Sequence, residues 1–589
     1  MATLTTVIVV LTILTLTLTF IVVDAKQKQK LQVPFPILGG GVAAAAKPDF
    51  LTESTGKWEL LSPNSGVSAM QINLMPTNKI LVYDATIYRL SRLQYPKGEP
   101  CVPYKDDRTQ ENKIDCFAHS MEYDLATNQV RALKLTQDPW CSCGGLAPDG
   151  SLVSSGGFLD GTRTIRHIGG PECKGNCDWR EYKNSLQEDR WYGTQTILPT
   201  GDFIVIGGRR AFSYEYLPRQ EGLKVDKVFF FPFLYETSDL DENNLYPFTH
   251  LSTDGNLFIF SNNRSLLLNP KTNKIVRTFP VLPGGSRNYP ASGSSALLPI
   301  DLSNQDKNGP YKAEVIVCGG NSHDAFYIAE TTKTFRPSLK DCNRMVITDK
   351  VVKWETEQMP TSRTMGDCLI LPNGQLLFIN GAQKGTAGWW DADSPNLRPA
   401  LYSPEKLNGQ RFTEMAPTKI SRMYHSTSAV LPSGKIWVAG SNTHDTYKDI
   451  DKFPTETRVE GFSPPYLDPI LDKYRPTILA DFTGKNLKYG HKFEIQFSLP
   501  KDLENDNLNK GDIKVTMYFP PFTTHGFSMS QRLLVLNIRT MSTDRNGGYS
   551  IIALAPPSGE IAPPGYYLLY VVHRGVPSEG LWVHIDMAI

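Results

Sequence analysis

The chain of 589 residues has almost no net charge: 61 Lys and Arg against 60 Asp and Glu leave a formal +1, and no long run of one sign occurs. That balance argues against nucleic acid and anionic membrane surfaces as partners. Long heptad patterns are missing as well. Glycine (46) and proline (42) are plentiful, so many short strands joined by turns are expected rather than long helices. The chain also lacks a Gly-x-Ser-x-Gly elbow, a His-Glu-x-x-His motif and a P-loop. Cys141-Ser142-Cys143 is too tight for a zinc Cys-x-x-Cys pair.

One long apolar run is present. Residues 2–24 carry no Lys or Arg, and Val23-Asp24-Ala25 precedes a polar segment from Lys26 to Lys30. This predicts a secretory signal over 1–25, cleaved after Ala25; a signal anchor is the competing reading, because the run is long enough to span a bilayer. Export makes disulfides the default for the nine cysteines. Proximity along the chain suggests Cys101–Cys116, Cys173–Cys177 and Cys318–Cys342, and an odd count leaves one cysteine over. Asn263-Arg264-Ser265 is an N-glycosylation sequon on a predicted turn.

What the chain does have is a repeat. A turn followed by an apolar strand occurs seven times, as in Pro199-Thr-Gly-Asp-Phe-Ile-Val-Ile-Gly-Gly208 and Pro432-Ser-Gly-Lys-Ile-Trp-Val-Ala-Gly-Ser441. From the second copy on, the repeats end at 157, 208, 262, 320, 381 and 441, so they lie 51 to 61 residues apart. One hairpin per unit, a drifting period and a Gly-Gly end predict a seven-bladed β-propeller of kelch type over 56–472, after an N-terminal extension over 26–55. The first interval is longer and holds Cys101 and Cys116, which reads as a surface insertion. Beyond a Pro-rich boundary at Ser463–Pro469, short alternating strands without Gly-Gly predict an immunoglobulin-like β-sandwich over 473–589. The fold class is all-β.

Equivalent positions of a radial repeat should lie on one ring. Counting nine residues back from the hairpin glycines gives Cys141, Tyr192, Tyr246, Met365 and His425, with Tyr424 adjoining. Taken singly, each has a plain explanation: tyrosines pack, a lone histidine is commonly a hydrogen-bonded core residue, and Cys141 is by default half of a disulfide, with Cys143 two residues on as the alternative to it.

Longer blocks give these residues a chemistry. Trp140-Cys-Ser-Cys-Gly-Gly, Arg190-Trp-Tyr, Ile206-Gly-Gly-Arg-Arg, Pro521-Phe-Thr-Thr-His-Gly-Phe-Ser-Met-Ser-Gln-Arg532 and Pro563-Pro-Gly-Tyr-Tyr-Leu-Leu-Tyr stand in order along the chain. In these blocks the chain resembles the galactose oxidase and glyoxal oxidase family of copper radical oxidases, the plant-type glyoxal oxidase branch above all. The resemblance implies a thioether between Cys141 and the ring of Tyr192, which forms a protein-derived radical. It implies one copper ion held by Tyr192, Tyr424, His425 and His525, with Tyr424 as the proton acceptor. Imidazole and phenol donors with an open position suit Cu(II). The activity implied is oxidation of small aldehydes, of glyoxal or methylglyoxal type, to carboxylic acids with reduction of O2 to H2O2. The implied setting is extracellular, at the cell wall, as a monomer whose H2O2 peroxidases could use. With one cysteine in the thioether, eight remain, and the resemblance leaves Cys143–Cys368 as a fourth disulfide. The family's stacking Trp is replaced here by Arg210, and Arg209 with Arg210 could favour acidic aldehydes or simply form surface ion pairs. Competing functional readings are a secreted, non-catalytic propeller that binds carbohydrate or protein, and an oxidase of alcohols or galactose.

Overall fold

A computed structural model describes residues 47–106, 109–303, 310–500, 508–543 and 548–587. The expected signal segment, 1–25, lies outside the described residues.

Seven antiparallel sheets carry the repeat, and the repeated apolar runs are their second strands. Phe203–Ile206 and Leu376–Ile379 are buried throughout, because each sheet is covered on both faces by its neighbours. Burial fades outward: the fourth strand Lys274–Thr278 is largely exposed. The hairpin glycines Gly150, Gly201, Gly255, Gly374 and Gly434 all have φ between 80° and 93°, which a side chain would oppose. The innermost strands touch in order, from Cys143–Leu146 by way of Thr194–Ile197, Phe248–Leu251, Ser294–Leu297, Asp367–Ile370 and Ser426–Val430 to Gln71–Leu74, and Phe522–Thr524 touches both Gln71–Leu74 and Cys143–Leu146 where the ring closes. That is the arrangement of a seven-bladed propeller. The ring is closed by chain ends: Lys57–Ser62 is the outermost strand of the sheet whose inner three strands are Ser426–Val430, Ile436–Gly440 and Val459–Ser463.

Buried arginines staple blade to blade. Arg190, Arg287, Arg363 and Arg422 each stand just before an inner strand and are at most 3% exposed. Each guanidinium donates to a carbonyl at the end of its own second strand, for example Arg190 to Gly207 O at 2.8 Å and Arg422 to Gly440 O at 2.9 Å. The carbonyls of Arg190, Arg363 and Arg422 in turn accept from Gly157, Gly320 and Gly381 of the preceding blade. A Cβ on Gly156 would lie 2.0 Å from Arg190 O, so the Gly-Gly end is required by this close approach. Three of the arginines are neutralised by carboxylates on the third strand: Glu215, Asp341 and Glu460.

The expected insertion forms two small hairpins, one pairing Val102–Lys105 with Asn112–Asp115, and carries the Cys101–Cys116 disulfide. Cys173–Cys177 and Cys318–Cys342 are also bonded. Cys143 and Cys368 are not: both are buried free thiols. They sit on inner strands of non-adjacent blades, where the Cys143 thiol bonds instead to Ser155.

The C-terminal residues form a sandwich of two sheets. One contains Ile513–Phe519, Arg532–Val535, Gly565–His573 and Leu581–Ile585, and the other Lys492–Ser498, Ile538–Thr543 and Tyr549–Leu554. One hairpin leaves the sandwich. Phe522–Thr524 pairs with the inner edge of Gln71–Leu74 and with Phe527–Met529, and both strands touch inner strands around the ring, so the hairpin fills the propeller axis. Its two-residue turn is His525-Gly526, with φ of 49° and 80°, the positive values that a type I′ turn needs.

No helix among the described residues is long and apolar enough to cross a membrane.

Candidate metal centre

The glycine register corresponds to a ring in space. Cys141, Tyr192, Tyr246, Ser292, Met365 and His425, one or two residues ahead of six inner strands, all have φ between 47° and 67°. Left-handed backbone costs a side-chain-bearing residue about 1–2 kcal/mol, and strain of this kind concentrates at working sites. Backbone hydrogen bonds join the ring: Tyr192 N–H to Cys141 O at 3.1 Å, Tyr246 N–H to Tyr192 O at 3.0 Å, and Met365 N–H to Ser292 O at 2.7 Å.

The side chains of Cys141, Tyr192, Tyr424 and His425 converge with that of His525, which the axial hairpin delivers. Ligand atoms of Cys141, His425 and His525 lie within 4.8 Å of one another. Cys141 Sγ is 3.3 Å from His525 Nε2, and the Thr524 hydroxyl lies 2.6 Å from His525 Nδ1. The His425 and His525 rings are 4.9 Å apart at 83°, and Tyr424 stacks on His425 at 3.8 Å. Tyr246 and Met365 are also at this level of the ring, but Tyr246 spends its hydroxyl on Ser142 O at 3.2 Å.

Burial sets the charge states. It pushes the His525 imidazole down to about 3. It holds His425 well below its ordinary value too, with His525 adding to the effect. Both are neutral imidazoles, the form that binds metal. The Cys141 thiol and the Tyr192 and Tyr424 phenols are all pushed well up, by burial first. Both ring nitrogens of His425 are buried without a hydrogen-bond partner in the protein. Such an orphan costs about 1–3 kcal/mol. A cation on either nitrogen would offset that cost, and the two imidazoles and two phenols are the donors for one.

A third phenol, which the glycine count missed, joins the centre. Tyr289 Oη is 3.1 Å from Tyr192 Oη and 2.8 Å from Tyr424 Oη. The count could not reach it: the ring position of this blade is Ser292, three residues on, and nine residues after that stands Asp301 rather than a glycine. A different signal marks it: Arg190-Trp-Tyr192, Arg287-Asn-Tyr289 and Arg422-Met-Tyr424 place the three phenols two residues after a stapling arginine.

Around the mouth, Trp140 stacks on Trp389 at 5.3 Å, and Trp191 lies 4.6 Å from Tyr192. Arg209 and Arg210 share one carboxylate, Glu242, at 2.6 and 3.2 Å, as surface ion pairs. Asn263 is half-buried on the turn between Leu257–Ser261 and Arg264–Asn269.

Comparison with known proteins agrees with this architecture. Residues 70–466 match the glyoxal oxidase N-terminal family, and residues 475–585 match the galactose oxidase-like early set domain. An aldehyde oxidase of Arabidopsis thaliana is 50% identical over 90% of this chain and 84% of its own length. An aldehyde oxidase of Vitis pseudoreticulata is 41% identical over 91% of this chain and 98% of its own. A solved fungal alcohol oxidase in complex with copper shares the fold with a TM-score of 0.68, at 17% identity, over 90% of this chain and 100% of that one. The protein is an oxidase. It belongs to the glyoxal oxidase family of copper radical oxidases.

Proposed function

We propose that the protein is an extracellular oxidase of small aldehydes that binds one copper ion through Tyr192, Tyr424, His425 and His525. The observation that carries this reading is the buried meeting of two neutral imidazoles, two phenols and one thiol, with both nitrogens of His425 unpartnered. In this reading Cys141 Sγ becomes bonded to the Tyr192 ring, its S–H and one ring C–H being lost as two protons and two electrons that O2 takes up. The Cys141 thiol then no longer donates to His525 Nε2, and that nitrogen is free to bind. Copper, when bound, supplies one oxidising equivalent and an open position for substrate. Tyr424 accepts a proton from a hydroxyl of the hydrated aldehyde, and the oxidised Tyr192 accepts the hydrogen atom of the substrate carbon. Two electrons and two protons then leave on O2, so the hydrate and O2 become a carboxylic acid and H2O2. Peroxidases are natural consumers of that product, and no partner chain is needed for the chemistry.

A small substrate is supported by the cavity against Tyr424. It measures about 160 Å3 and is lined by Trp390, Asp391, His444 and Phe453 among others. His444 Nδ1 and Asp391 Oδ2 are buried behind this lining without a partner in the protein. Three disulfides fit an oxidising compartment, and Asn263 is the proposed glycan site. In the domain reading we favour, residues 56–472 form the propeller and 473–589 the domain that supplies His525.

The test is a substrate panel on copper-loaded protein, with H2O2 read by a coupled peroxidase. Turnover of glyoxal and methylglyoxal well above galactose and primary alcohols is expected. H2O2 from alcohols alone would favour the alcohol-oxidase reading, and no H2O2 from any substrate would favour the binding module.

A further inference from the structure

We propose that Tyr289 is a positioning residue of the centre, whose single hydroxyl proton is shared between Tyr192 and Tyr424 and whose ring covers Tyr192. The inference rests on the oxidase reading above and adds a residue to it.

Three observations carry it. Tyr289 Oη bridges the other two phenols, at 3.1 Å to Tyr192 and 2.8 Å to Tyr424. Its ring stacks on Tyr192 with centroids 4.5 Å apart at 28°. Its backbone is fixed from both sides: Tyr289 bridges to Leu245, and Pro290 O accepts from Ala387 N–H at 2.9 Å and from the Thr386 hydroxyl. The phenol therefore sits at its place through the fold rather than through a metal.

A hydroxyl has one proton to donate and lone pairs to accept with. When Tyr424 is ionised, that proton is best directed at Tyr424, the nearer oxygen. When Tyr424 has taken the substrate proton, Tyr424 O–H can donate to Tyr289 Oη. The Tyr289 proton is then free to turn toward the Tyr192 oxygen as Tyr192 takes up the substrate hydrogen atom; when Tyr192 is reduced by one electron alone, as in a potential measurement, the same proton meets a phenolate. No proton leaves Tyr289 and no electron passes through it; only the direction of donation changes. A hydrogen bond to an anionic oxygen is worth about 1.5–3 kcal/mol, which corresponds to roughly ten- to hundredfold in a rate or equilibrium. Stabilising the reduced form of Tyr192 makes its oxidised form the stronger oxidant. The stacked ring takes the place, from a different blade, of the contact that Arg210 cannot make: Arg210 is exposed and bound to Glu242.

The experiment uses the full copper-loaded chain with Tyr289→Phe, which keeps the ring and removes the hydroxyl, and Tyr289→Leu, which removes both. Three quantities are read: the non-reducible Cys–Tyr link as a gel mobility change, the midpoint potential of the radical couple, and kcat and KM separately. For Tyr289→Phe we expect the link to form as in wild type and KM to change less than about twofold. We expect kcat to fall about ten- to hundredfold and the potential to drop by about 59 mV or more, the value of one tenfold step for a one-electron couple. For Tyr289→Leu we expect, in addition, faster decay of the radical absorption. Wild-type kcat and potential in Tyr289→Phe would overturn the inference and leave Tyr289 a packing residue. Should Tyr289→Phe fail to bind copper, 3-fluorotyrosine at 289 replaces it as the probe. Its more acidic hydroxyl is expected to raise the potential, and an unchanged potential overturns the inference. A wild-type chain that forms no link sinks the oxidase reading and this inference together. A linked wild type beside an unaltered Tyr289→Phe sinks this one alone.

Discussion

The backbone N–H of Tyr192 donates to the carbonyl of Cys141 at 3.1 Å, although 51 positions separate them in the chain. Both residues have left-handed backbone. The two side chains proposed to be joined covalently are thus already held at adjacent places on the ring. Orienting two groups in advance removes most of the entropic cost of joining them. We expect wild-type protein to form a non-reducible cross-link on adding copper and air. Cys141→Ala and Tyr192→Phe should each migrate as the unlinked chain after reduction and lose at least about a thousandfold in kcat, since the loss of a reacting group commonly costs that much or more. Retention of the shifted band in either variant would exclude this pair.

His425 tests the metal from the side of stability. His425→Leu removes two buried orphan nitrogens and a metal donor at once. The variant should bind no stoichiometric copper, read by elemental analysis. Its metal-free form should be as stable as wild-type apoprotein, or more stable by about 1–3 kcal/mol, the cost of an unpaired buried group. Copper should raise the unfolding temperature of wild type alone. A marked loss of apoprotein stability would mean that His425 is a packing residue.

Arg190 and Glu215 are both fully buried and paired at 2.7 Å. Removing one partner leaves an uncompensated charge inside the protein, at about 3–5 kcal/mol. Glu215→Ala should therefore shift the first denaturant transition strongly. It should also damage the centre, because Arg190 is two residues from Tyr192. Arg210→Ala, at an exposed ion pair, should change stability by less than about 1 kcal/mol. It should leave KM for glyoxylate within twofold of wild type, while a larger rise would restore a substrate role to that arginine.

Asp367 gives a pH signature. Burial raises its carboxyl to about 7, against hydrogen bonds from Ser428 and Asn380 that act to lower it. A folded value above the unfolded one means that its favourable contribution is full below about pH 4 and is lost as pH rises through 7. Asp367→Asn should cancel this loss. At pH 8 the variant should be more stable than wild type by an amount on the order of 3 kcal/mol, and the advantage should shrink toward zero or reverse near pH 4. Parallel Tm-versus-pH curves for the two proteins would contradict the assignment.

Much of the fold was legible because the propeller writes its period in glycine. The hairpin turn and the Gly-Gly end each need backbone that other residues resist, so the same letters recur every 51 to 61 residues. The strands Ile513–Phe519, Tyr549–Leu554 and Leu581–Ile585 were equally clear from alternation. Tyr289 escaped because it stands three residues ahead of its blade's ring position, Ser292, while the arginine that positions it is a stapling residue with no catalytic look. Cys143–Cys368 failed because parity among cysteines says nothing about distance, and a small apolar thiol is at home in a core. The placement of His525 on an axial hairpin could not be read locally, since its first strand pairs with Gln71–Leu74, about 450 positions away.

That hairpin and the strand Lys57–Ser62 make both ends of the described chain indispensable to the middle. The ring shuts only when Lys57–Ser62 meets Val459–Ser463, and the axis is plugged only when Phe522–Met529 arrives. A ribosome must therefore translate past Met529 before the final imidazole is in place. A chain broken off after the propeller would hold three of the four proposed donors and keep an open bore. On the proposed four-donor site, oxidising power is thus withheld from fragments, and acquiring the metal doubles as a check that synthesis ran through the domain that carries His525.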